Sequence, residues 1–217
     1  MLALYGHLLS SYTWKALIAL YAYDVPFEFR PVDPDHAENN AVVQSTGPLG
    51  KFPVLAGGGA LIFEATSIIE HLAIHAGARG LIPADPAEAE SVRTMDRVFD
   101  NYVMNVMQIV VNEQIRTPDN PDTARQQEAR EQLKRVYRWL DDWLAGYPQD
   151  GRITLIECAA APSLYYAHWS QEIDGDYPRL QAWRRHLLNL PPVKRCIDGA
   201  APYRHWFPLY RPELELD

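Results

Sequence analysis

Along the first eighty residues, apolar positions alternate between short runs and helical spacing. Met1 to Tyr5 reads as a strand, Tyr12 to Ala22 as an amphipathic helix and Phe27 to Val32 as a second strand, which together predict a βαβ unit. Residues 35 to 46 are polar with weak helical character. Phe52 to Leu55 and Leu61 to Phe63 predict two short strands around Gly57-Gly58-Gly59, a hairpin signal. A helix over residues 65 to 76 follows, stopped by Gly77 and Gly80. From Ala87 onward only helical periodicity remains, over 87–116, 122–146, 154–170, 178–189 and 191–199, punctuated by Pro118, Pro121, Pro148 and Pro191. The expectation is an α/β domain at residues 1–80, a linker at 81–86 and an all-α domain at 87–217.

Composition narrows the function classes. A chain of 217 residues with 47% hydrophobic and 22% charged positions has enough apolar material for two packed domains. Its net charge of -8 and scattered Lys and Arg argue against a nucleic-acid partner, which requires clustered cations. The alternating run Glu128, Arg130, Glu131, Lys134 reads as a solvated helix face. No segment has the length and apolarity of a membrane span or of a signal core, so the cytoplasm is the expected location. Cys158 and Cys196 have neither disulfide-framework nor metal-ligand spacing, and both read as small buried residues; no metal is expected.

Three segments of the first domain suit a peptide-like thiol. Ser10-Ser11-Tyr12-Thr13-Trp14 opens the first helix, where unpaired N–H groups and the macrodipole favour an anion and a hydroxyl can donate to a sulfur. The same serines serve equally as helix caps. In Gly50-Lys51-Phe52-Pro53-Val54-Leu55 a proline stands at a strand entrance. An ordinary trans turn explains it, whereas a cis bond would turn the backbone of Val54 toward an extended ligand. Glu64-Ala65-Thr66 joins a strand to a helix start. Its amides suit a carboxylate and Glu64 an ammonium, although capping by Thr66 is an equal reading.

Taken in order, these segments resemble those of the cytosolic glutathione transferases, and the resemblance runs the length of the chain. It implies a thioredoxin-like first domain and an all-helical second domain. Ser10-Ser11-Tyr12-Thr13-Trp14-Lys15 resembles the serine-type, zeta-like active-site segment, which puts Ser10 at the catalytic position with Ser11 and Tyr5 in reserve. Phe52-Pro53-Val54 looks like the family's cis-proline segment, with Val54 pairing to the cysteine of glutathione. Glu64, Ala65 and Thr66 fall at the γ-glutamyl site, and Lys51 where the glycine carboxylate is met. Thr154-Leu155-Ile156-Glu157 resembles the capping box that opens a buried helix of the second domain.

The resemblance further implies glutathione as co-substrate, an apolar electrophile bound between the domains with Tyr102 as a contact, and a homodimer. Ala65 departs from the family's usual serine and removes one hydroxyl. Tyr12 stands where zeta-like members often carry cysteine, so chemistry through an enzyme thiol is not expected. His7 reads as a loop residue and Tyr5 as a core residue by alternation. Isomerisation of a maleyl-type double bond, peroxide reduction and non-catalytic glutathione binding are the alternatives to conjugation.

Overall fold

The computed structural model describes residues 1–214, so 215–217 of the expected second domain lie outside it. Its first part contains β1 (Leu2–Gly6), α1 (Ser11–Ala22), β2 (Phe27–Pro31), α2 (Ala37–Gln44), β3 (Val54–Gly57), β4 (Ala60–Phe63) and α3 (Ala65–His75). The sheet runs β2-β1-β3-β4, with β1 and β2 parallel and the other two pairings antiparallel. The parallel pair needs a crossover, and α1 provides it. The β-α-β-α-β-β-α order is the one the pattern predicted, and it forms the thioredoxin-like arrangement that the resemblance implied.

A continuous block of α1, from Thr13 to Leu20, is buried, because the helix is enclosed by α3 and by two helices of the second part. That explains its unbroken apolar run and isolates Lys15 as a charge inside the protein. Gly6 permits the close passage of β1 past α1: a Cβ there would lie 2.6 Å from Thr13 Cγ2.

The second part is all helical. After a 3₁₀ turn, Arg79–Leu81, come α4 (Pro86–Val98), a π-helical stretch (Phe99–Met104), α5 (Asn105–Arg116), α6 (Thr123–Trp143), α7 (Leu155–Ser170), α8 (Pro178–Asn189) and α9 (Pro191–Ala200). The single helix expected over 87–116 is therefore divided by a π segment. Six residues are too few for side-chain period to distinguish a π turn from an α turn. Asp85 caps α4 and Pro86 occupies its first turn, a strong start signal that falls at the expected linker's end.

Every residue of α7 is buried. Its capping box forms as expected: Thr154 Oγ1 accepts from Ile156 N–H at 3.1 Å, while Glu157 Oε2 accepts from Thr154 N–H at 2.8 Å. Cys158 and Cys196 are free and buried. The α6 charge run departs from expectation at Arg130, which turns inward to donate from Nε to Ser170 O at 2.8 Å. Lys134 and Glu131 do form the exposed pair the spacing suggested.

Candidate functional site

Sheet register brings the three suspected segments to one end of the sheet. Val54 is opposite Tyr5 on β1 and Phe63 on β4, so the loop to Ser10, the Phe52–Pro53 peptide and Glu64 all leave the same edge. Ser10 is the N-cap of α1, with its Oγ accepting from Thr13 N–H at 3.2 Å. That contact uses a lone pair and leaves the hydroxyl hydrogen free to donate. Capping and ligand contact, which competed as readings of this residue, are thus compatible in one side chain. The amides of Ser11 and Tyr12 carry no backbone partner, leaving a donor-rich turn beside the hydroxyl.

The loop leading to Ser10 is held at successive peptides. Ser10 N–H donates to His7 O at 2.9 Å and Leu9 N–H to His7 Nδ1 at 3.1 Å. Trp14 Nε1 donates to Leu8 O at 2.5 Å, and Tyr166 Oη to Leu9 O at 2.7 Å. Burial lowers the pKa of His7, partly opposed by Asp33. Its Nδ1 is engaged as an acceptor, in keeping with the structural role expected of it.

The Phe52–Pro53 bond is cis. Pro53 is buried and Lys51 exposed. Tyr5 and Phe52 pack on a small cluster of Val32, Val43 and Val54, which leaves Tyr5 half-buried beside that cluster rather than inside the main core that alternation suggested.

Glu64 is the N-cap of α3 with φ of 70° and makes no side-chain cap bond. A left-handed backbone at a non-glycine residue costs on the order of 1–3 kcal/mol and recurs at ligand clamps. The first intrahelical bond runs from Ile68 N–H to Glu64 O, so the amides of Ala65, Thr66 and Ser67 face outward without a backbone partner. Thr66 does not cap the helix. Its Oγ1 donates to Asp96 Oδ2 at 2.9 Å and accepts from Lys15 Nζ at 3.0 Å and Arg97 Nη2 at 2.7 Å.

Around Thr66 lies a charge cluster that joins the two parts of the chain. Lys15 Nζ is 2.5 Å from Asp96 Oδ1 and 2.8 Å from Asp100 Oδ2, and Arg97 closes on Asp96 from outside. Burial raises the pKa of Asp100, against the opposing pull of Lys15. Burial likewise raises that of Tyr12, reinforced by the carboxylates of Asp100, Glu64 and Asp96. The Tyr12 phenol therefore stays protonated beside these carboxylates.

A model of the glutathione S-transferase N-terminal domain matches residues 4–80, and one of the C-terminal domain matches residues 98–191. The chain belongs to the glutathione S-transferase family. An uncharacterized GST-like protein of Escherichia coli K12, YibF, is 30% identical over 186 residues, covering 82% of this chain and 89% of the relative. A probable maleylacetoacetate isomerase of Caenorhabditis elegans is 22% identical over 190 residues, with 87% and 89% covered. Among solved structures, a glutathione S-transferase from Methylobacillus flagellatus with GSH bound superposes with a TM-score of 0.77 at 21% identity, covering 90% of this chain and 98% of that one.

Glutathione S-transferases use glutathione, and the sheet-edge segments of this member are those its sequence singled out. Asp96, Asp100 and Tyr166 were not among them, and Lys15 was named only as the end of the first segment. Lys15 alone left a trace, as one charge within an apolar helix; its carboxylate partners lie more than eighty residues away. Tyr102 is exposed on the π segment and lines a groove of about 400 Å³ with Val98, Val106, Val136 and Trp139. Among the described residues no group of three or more His, Cys, Asp or Glu could hold a metal ion, and no helix is long and apolar enough to cross a membrane.

Proposed function

We propose that this transferase conjugates the glutathione thiolate to small apolar electrophiles, with Ser10 as the catalytic hydroxyl. The observation that carries the reading is the Ser10 geometry: its oxygen is fixed by Thr13 N–H while its hydrogen remains available at a helix N-terminus. A thiol has an ordinary pKa of about 8.5–9, and each unit removed is worth about 1.4 kcal/mol of preference for the thiolate. Ser10 and the Ser11 and Tyr12 amides supply that preference. The sulfur then attacks the electrophilic carbon, an S–C bond forms, and the leaving group departs with its electron pair; no covalent enzyme intermediate is required.

Val54 pairs with the cysteinyl backbone of the tripeptide, Lys51 meets the glycine carboxylate, and Phe52 and Pro53 shape the strand entrance between them. At the other end, the amides of Ala65 and Thr66 take the γ-glutamyl carboxylate and Glu64 its ammonium. Ala65 offers no hydroxyl, and that of Thr66 is already saturated, so backbone N–H groups carry this contact. Tyr102 contacts the electrophile from the helical side. Exposed Leu61, Phe63 and Ile74 on β4 and α3 support a homodimer in which a second copy covers these apolar side chains. A cytoplasmic detoxification role follows from the same reading.

Ser10→Ala should lose most turnover of an aromatic halide while retention on a glutathione column persists. Unchanged turnover would overturn the serine assignment. A second reading keeps the thiolate but has it add reversibly to a maleyl-type double bond, allowing rotation before elimination. The Ser10-Ser11 segment and the likeness to the nematode protein favour it. Presenting a maleyl acid and an aromatic halide to the same preparation separates the two.

A further inference from the structure

We infer that Tyr166, in the all-helical domain, is a positioning residue for the thiolate site: its hydroxyl fixes the peptide that immediately precedes Ser10. The inference rests on the serine reading given above. Tyr166 Oη donates to Leu9 O at 2.7 Å, a contact spanning 157 positions of sequence and linking α7 to the active-site loop. Leu9 O and the amide of Ser10 belong to the same planar peptide group. A bond to that oxygen therefore sets the plane from which the Ser10 Cα, and then its Oγ, are carried.

The donor is itself immobilised. Tyr166 is 2% exposed, and its ring packs against Trp14, Tyr165, Trp169 and Phe207 with centroid separations between 5.1 and 5.6 Å. A phenol clamped on several sides delivers its hydroxyl to one point with little rotamer freedom. Burial raises its pKa well above the ordinary value, so it remains a donor.

The hydrogen bonds from Trp14 and to His7 come from the domain that carries Ser10, while the rings of Tyr203 and Trp206 in the helical domain pack on His7. The bond from Tyr166 adds a directional tie from α7 to the peptide before Ser10, so the seating of the helical domain bears on the serine through it. Without it, Leu9 O would lose its partner in a half-buried loop, and the Ser10 peptide could rotate. Catalytic hydroxyls depend on sub-ångström placement relative to the developing charge. The hydrogen bond and ring partners described for Tyr166 lie outside α3, so the γ-glutamyl clamp there should be unaffected.

Tyr166→Phe in the full-length protein tests this, because it removes one oxygen and keeps the clamped ring. Glutathione affinity is read by calorimetry, ionisation of the bound thiol by ultraviolet absorbance across pH, kcat and KM by turnover of an aromatic halide, and stability by thermal unfolding. The expected result is a glutathione Kd within twofold of wild type, with thiolate at neutral pH and kcat both reduced about tenfold, which corresponds to a rise of about one in the thiol pKa. A lowered Tm with an unchanged thiol titration and kcat would make Tyr166 a purely structural residue and overturn the inference. If Ser10→Ala leaves the thiol titration unchanged as well, the fault lies in the serine reading and the positioning role falls with it.

Discussion

Lys15 Nζ and Asp96 Oδ1 lie 2.5 Å apart with side-chain exposures of 1% and 0%, an ion pair buried where α1 meets α4. Such a pair gains little net stability over an apolar replacement, but removing one member strands the other in a medium that solvates it poorly. Lys15→Met should therefore cost about 3–5 kcal/mol of unfolding free energy. Asp100 would be the worse stranded, since both its oxygens rely on Lys15 whereas Asp96 keeps Arg97. Adding Asp100→Asn to Lys15→Met should recover on the order of 1 kcal/mol, a non-additivity that urea unfolding of the single and double variants would resolve. Additive losses would mean the cluster is not coupled as its distances indicate.

Glu64 combines a left-handed backbone with the carboxylate proposed to meet the glutathione ammonium, and substitution can separate the two. Ala and Gly both remove the carboxylate, but only Gly adopts this conformation without strain. Glu64→Gly should accordingly be more stable than Glu64→Ala by about 1 kcal/mol. Their glutathione affinities should fall together, by about tenfold for one charge-assisted contact. Thermal unfolding and calorimetry on the pair check both halves. Equal stability would deny the strain, and undiminished affinity would deny the carboxylate its role.

The parts of this molecule legible in its sequence are those governed by local rules. Thr154 and Glu157 lie three residues apart and form the box their spacing specifies, while Gly58 and Gly59 turn the hairpin. Ser10 sits at the helix start because caps are local chemistry. The site is less legible where one residue has two duties: a capping hydroxyl and a ligand-facing hydroxyl have the same sequence signature, and only the Thr13 contact shows that the hydrogen stays free. Least legible are side chains whose partners are distant. Nothing in the helical pattern of Asp96 and Asp100 identifies a lysine on α1, and Tyr166 in an aromatic-rich buried helix has the signature of core. Arg130 shows the converse, a charge in a solvent-type pattern drawn inward by a carbonyl forty residues away.

His168 makes stability depend on pH in a predictable direction. It is buried on α7, its Nδ1 accepts from Ile173 N–H at 2.9 Å, and burial, then Arg184 and Arg211, push its pKa from 6.5 down to about 3. The folded ring thus stays neutral over a range in which the unfolded chain would bind a proton. Its contribution is complete above pH 6.5 and is lost as the pH falls toward about 3. The loss from this group is about 1.4 kcal/mol per pH unit within that window. His168→Gln keeps an oxygen able to accept from Ile173 N–H but cannot titrate. Its stability should therefore fall less between pH 6.5 and about pH 4.5 than that of wild type, by about 2–3 kcal/mol. Urea midpoints at several pH values measure the difference. Parallel decline in the two proteins would place the acid sensitivity on other groups, foremost His7, whose ring is also held below its ordinary value.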